Sequence, residues 1–162
     1  MPYDHTTVKV SASQEGIRRL LKHQGAERFS FAEGLKDGRQ WVGVEFVHAR
    51  HLVRMTVPLK LADEMALRGK ARRSRRSLAE ITVTAYEQEA QRTWRVLHWS
   101  IKARLEAVTE GVETFEQAFL AHLVEPSTGA TVWEIVHPQI EAGALSLGGG
   151  SGRLALSIGG GR

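Results

Sequence analysis

The sequence predicts an α+β protein: a small antiparallel sheet with one N-terminal helix, followed by a long helix and a helical C-terminal half. Three observations carry that expectation. Residues 29–59 alternate apolar and polar side chains on either side of an Asp-Gly turn, as half-buried strands do. Before them stands one short amphipathic stretch with Ile17, Leu20 and Leu21 at helical spacing. After them, Tyr86, Ala90, Trp94, Leu97, Ile101, Leu105, Val108, Val112, Phe115, Phe119 and Leu123 recur at steps of three and four.

Taken in order, Thr6–Val10 is rich in β-branched residues and is expected to be a short strand. Ser11 or Ser13 would cap a helix over Gln14–Gln24, and Gly25 would stop it in a left-handed conformation. Phe29 and Phe31 share a face of the next strand, and Lys36-Asp37-Gly38 supplies a hairpin turn. Gln40–His48 sets Val42, Val44 and Phe46 on one face. Leu52–Leu59 does the same with Val53, Met55, Val57 and Leu59, after a second turn near His48–His51. Pro58 ends the run, since proline donates nothing to a ladder. A helical turn through Leu61–Leu67 comes next. The apolar stripe then predicts a helix of about 30 residues, a break at Gly111, and a shorter helix over Thr114–Leu123 opened by a Thr114/Gln117 capping box. Pro126–Gly129 is a turn. Thr131–Ala142 forms a last helix, kinked or restarted at Pro138.

The expected organisation is a strand-helix-three-strand unit over 1–60, a basic connector over 61–80, a helical region over 81–143 and a Gly-rich flexible tail over 144–162. From Gly143 onward 8 of 20 residues are Gly, a composition that cannot offset chain entropy. A helix as long as the central one cannot bury its stripe on a small sheet alone. The stripe is therefore the seam of an intramolecular bundle or of an oligomer.

Charge is segregated along the chain. The net +4 is the remainder of +4 over residues 1–60, +4 over 61–76, −6 over 77–143 and +2 in the tail. Such asymmetry points to polyanion contact by one half. With no Cys, thiol nucleophiles, Fe–S clusters and Cys-ligated zinc are excluded. No apolar run reaches membrane-span length and no secretory signal opens the chain, so a cytoplasmic protein without membrane contact is expected.

The segment Arg68-Gly69-Lys70-Ala71-Arg72-Arg73-Ser74-Arg75-Arg76 packs six cations into nine residues. Arg68, Lys70, Arg72, Arg73, Arg75 and Arg76 are candidate phosphate contacts. The bland alternative is a solvated hinge, paired internally with Glu80, Glu87 and Glu89. Trp41, Arg50 and Arg54 on the hairpin are candidate contacts from the sheet, although Gly43 and Glu45 make that face mixed. His48 and His51 form a close pair, but a zinc site needs a third ligand and only three Asp exist in the chain. No metal or other cofactor is expected. Glu106, Glu110, Glu113 and Glu116 follow helical spacing and read as a solvated face. Phosphate-binding, metalloprotease and nucleophile-elbow motifs are absent, so no catalytic residue is assigned and an enzyme is not expected.

The segments Pro2–Val8, His51–Pro58, Trp94-Arg95, Lys102–Val108 and Glu113–His122, with Leu20-Leu21 and Gly25-Ala26 between the first two, resemble small uncharacterised proteins of bacteriophages and prophages. The resemblance spans residues 2–145 and implies a phage setting, with no site residue carried over. The expectation is a non-enzymatic accessory protein that grips nucleic acid, DNA before RNA, through its basic segment. Its acidic helical half would self-associate or meet a protein partner. The alternative is a protein-interaction module, an inhibitor or adaptor, without nucleic-acid binding.

Overall fold

The computed structural model describes residues 8–143. Helix α1 spans Val10–His23, and strands β1 (Arg28–Lys36), β2 (Arg39–His48) and β3 (His51–Pro58) form an antiparallel sheet in that order. Helix α2 (Glu64–Ser74), the long helix α3 (Leu78–Thr109), the short α4 (Phe115–Phe119) with one 3-10 turn, and α5 (Val132–Glu141) complete the chain. The α+β expectation holds.

One local expectation fails at the start. Val10 opens α1 instead of closing a strand, and Thr6 and Thr7 lie outside the described residues. Neither Ser11 nor Ser13 caps the helix; Lys9 stands at the cap, and Ser13 is buried one turn inside. The buried stripe thus begins a turn earlier, with Ser13 and Ile17 both buried. Gly25 ends α1 as expected at φ 78°, with Ala26 N–H donating to the Leu21 carbonyl.

The sheet register follows the alternation. Phe31 pairs with Val44 and Val44 with Met55; Phe29 pairs with Phe46 and Phe46 with Val53. That face meets α3, whose Ala90, Trp94, Leu97, Ile101 and Leu105 are all buried. Phe31 meets the Trp94 ring edge-on at 5.5 Å, and Phe46 meets Phe119 at 5.6 Å. One apolar cluster runs through Ile17, Leu21, Val42, Phe46, Trp94, Ile101, Phe115 and Phe119. The stripe from Ala90 to Leu105 is therefore covered within the chain, by α1 on one side, the sheet beneath and α4 at its end, while Val112 stays exposed. The Gly111 break carries φ 71°, and the Thr114/Gln117 capping box restarts the chain as expected.

After α4 the chain returns along the sheet. Val124 N–H donates to the Leu52 carbonyl at 2.8 Å, which occupies the free edge of β3. The following turn brings Gly129 to Arg54, and α5 runs through Pro138 without a break. The Gly-rich tail expected over 144–162 lies outside the described residues.

A candidate nucleic-acid interface

Most of the basic run lies on a helix, which ends at Ser74. Asp63 caps α2 by accepting from Ala66 N–H at 2.7 Å, and Leu67 anchors it in the fold. Arg68, Lys70, Arg72 and Arg73 lie on α2, while Arg75 stands at its left-handed C-cap, φ 56°. The helix is buried at Leu67 alone, so its cations project into solvent.

Of the nearby carboxylates, Glu80 and Glu89 are committed elsewhere, while Glu87 is exposed at a cleft beside α2. Glu80 accepts from the Ser77 N–H and hydroxyl, and those bonds hold its carboxyl below the usual glutamate range, with Arg76 adding to the effect. Burial pushes the Glu89 carboxyl up. Hydrogen bonds from Arg92 and from Lys60 N–H outweigh it, and the group titrates below its ordinary value. Arg68 pairs with Glu64 at 2.6 Å, and Arg76 donates to the Thr84 hydroxyl at 2.9 Å. Among the described residues, no carboxylate lies within ion-pair range of Lys70, Arg72, Arg73 or Arg75.

The sheet candidates separate. Trp41 pairs with Pro58 at one end of the β2–β3 ladder, and His48 with His51 at the other. Arg50 sits in the turn beyond His51, at φ 69°, roughly 24 Å along the strand from Trp41 at about 3.4 Å per residue. It belongs to a different end of the molecule from α2. Arg54 lies on the Trp41 face, where it is engaged by the Glu45 carboxylate and donates to the Gly129 carbonyl. Trp41 lies against β1: a Cβ at Gly34 would stand 2.5 Å from its Cζ2.

Trp41, Arg54, Lys36, Arg39, Thr56 and Glu134 line an open pocket of about 770 Å³ on the outer face of the sheet. A second cleft, of about 940 Å³, opens between the β1–β2 turn, the β3–α2 link and the first turns of α3. Leu35, Leu59, Leu61, Leu67, Val83 and Tyr86 line it, and Arg39 and Pro58 belong to both spaces. Three of those apolar residues remain well exposed, Leu35 at 70%, Val83 at 57% and Leu61 at 40%.

The histidine pair does not share a ligand. His48 Nε2 lies 2.9 Å from the Gln24 carbonyl and its ring stacks on Phe115 at 4.4 Å, while His51 faces Glu116 at 3.2 Å. Among the described residues no group of three His, Cys, Asp or Glu is placed to hold a metal. Nor is any helix among them long and apolar enough to cross a membrane.

Sequence reasoning missed Arg39 and the apolar cleft. Neither had a local signal; Gly34 inside a strand marked only the close approach of Trp41. It also missed the flanking of Trp99 by Arg95 and Lys102, at 5.1 and 4.8 Å from its ring. That arrangement was legible from the helical spacing of the three residues. Comparison with protein-family models, with curated proteins and with solved structures finds no match to this chain.

Proposed function

We propose that this chain is a non-enzymatic, phage-type accessory protein that binds the phosphate backbone of nucleic acid through α2, with DNA the first substrate to test and the host cytoplasm its place of action. The observation that supports this reading is the set of exposed cations on α2 with no ion-pair partner among the described residues. A cation held by an internal carboxylate must break that pair to bind phosphate. Lys70, Arg72, Arg73 and Arg75 start free, so counterion release is available at no such cost. A helix also spaces them rigidly, which lowers the ordering entropy of binding. Backbone contacts of this kind carry no sequence information, so weak sequence readout is expected.

The test is a salt titration of DNA binding. Replacing Lys70, Arg72, Arg73 and Arg75 by Ala should reduce the slope of log K against log salt by about 3.6 units on duplex DNA, at about 0.9 for each of four phosphate contacts. Binding that persists with an unchanged slope would remove α2 from the interface.

A second reading is favoured by the apolar cleft beside α2. A partner protein offering an acidic amphipathic helix would bury its apolar side on Leu35, Leu61 and Val83 and set its carboxylates against Arg39, Lys60 and α2. No DNA binding at low salt sinks the first reading and leaves this one.

A further inference from the structure

We infer that the pocket on the outer face of the sheet is a base-binding site, with Trp41 as its stacking platform, and that the nucleic acid taken by this protein is single-stranded. The inference rests on the phosphate-binding reading of α2 and adds the class of substrate.

The charges of this surface are sorted as those of a nucleotide strand are. Three cations and three carboxylates line the pocket: Lys36 lies 3.9 Å from Glu134, Arg54 is engaged by Glu45, and Arg39 on the rim is offset in charge by Asp37. What the pocket offers is therefore close to neutral. It presents an indole, the Thr56 hydroxyl and carboxylate oxygens that accept from base amino groups. Beyond the rim that Arg39 shares with the neighbouring cleft, α2 supplies unanswered positive charge. Neutral bases suit the first region and phosphates the second.

Gly34 makes the platform. Because it has no side chain, the Trp41 ring can lie down on β1, and any Cβ there would collide with the indole. The ring is thus held at an orientation set by the strand pair, with its remaining surface turned to a pocket of nucleotide size. Glu134 at the start of α5 walls the far side. A base reaches such a recess only when it is free of its own stack. Single strands meet that condition, and duplex bases do not.

The experiment is anisotropy of a labelled single-stranded DNA oligonucleotide, of its duplex and of an abasic sugar-phosphate strand, each with the full chain. Trp41→Ala should weaken single-strand binding by about 5- to 150-fold, the range of one base–aromatic stack. It should leave duplex and abasic binding unchanged. Trp41→Phe should keep most of the affinity, and Trp41→Leu, which retains apolar volume without a ring, should lose it as Ala does. Single-strand binding at the wild-type level in both the Ala and Leu variants overturns the site. So does an equal loss on all three probes. A flattened salt slope in the α2 variant together with silence at Trp41 overturns only this inference. An unaltered slope in that variant overturns the α2 reading as well. A wild-type chain that binds none of the probes overturns both.

Discussion

At the scale of single residues, the turn at Glu125 shows how a local motif fixes a distant contact. Its carboxylate accepts from the Ser127 hydroxyl and from the N–H groups of Ser127 and Thr128. Those bonds, the Ser127 hydroxyl first, pull its pKa from the ordinary value of 4.5 to about 2. The same turn aims the Gly129 carbonyl at Arg54. A depressed carboxylate pKa stabilises the fold above the unfolded value and stops doing so as pH falls through the folded one. Glu125→Gln is therefore expected to lower Tm at pH 7. Its deficit against wild type should shrink between pH 4.5 and about 2 and vanish below. Thermal melts across that window check it; a deficit independent of pH would mean that Glu125 acts through shape alone. Ser127 and Thr128 could be read in the sequence as turn formers, but nothing there tied the turn to Arg54.

At the scale of elements, the meeting of α1 and α3 depends on one missing side chain. Gly16 lies mid-helix in α1, where Ala would ordinarily gain about 1 kcal/mol. Here a Cβ would stand 2.7 Å from His98 Nε2 and 2.9 Å from its Cδ2. The His98 ring is half-buried and stands edge to face with Trp99 at 5.4 Å, so a Cβ at Gly16 must displace it. Overpacking of this kind costs about 1–3 kcal/mol. Gly16→Ala should therefore lower stability despite its better helix propensity, as chemical denaturation would measure; a stabilised variant would show that the two helices separate freely. Burial first, and then the charges of Arg95 and Lys102, hold the His98 pKa below its ordinary value. The basic run teaches the complementary lesson. Its six cations were plain in the sequence, but its helix was not, because the apolar signal there is Leu67 and little else.

At the scale of the molecule, charge segregation along the chain becomes segregation in space. The positive α2 stands beside the N-terminal turns of α3, while Glu110, Glu113 and Glu116 lie around the Gly111 break at its other end. A helix of 32 residues is about 48 Å long at 1.5 Å per residue, so the two regions are far apart. Burial of the stripe from Ala90 to Leu105 covers most of the seam on which self-association was expected to rest. The protein is expected to be monomeric, with a constant mass across a concentration series in light scattering or sedimentation. A mass that rises with concentration would instead locate the contact on residues still exposed, such as Val112, Leu120 and Trp133.

The sequence by itself determined the three strands of the sheet, the long helix, its Gly111 break, the Thr114/Gln117 capping box and the placing of positive charge. Each is written in neighbouring residues: a period of two or of 3.6, a glycine at positive φ, a cap three residues from its partner. Only the tertiary structure decided what covers the stripe, which of the cations remain unpaired, that Arg50 and Trp41 stand at opposite ends of the sheet, and that Leu35, Leu61 and Val83 meet in one cleft. Periodicity says which face of an element is apolar and is silent about what packs on it. The Glu33–Tyr86 hydrogen bond at 3.2 Å and the Lys60–Glu89 bond at 2.8 Å join segments far apart in the chain, and no local pattern records such a meeting.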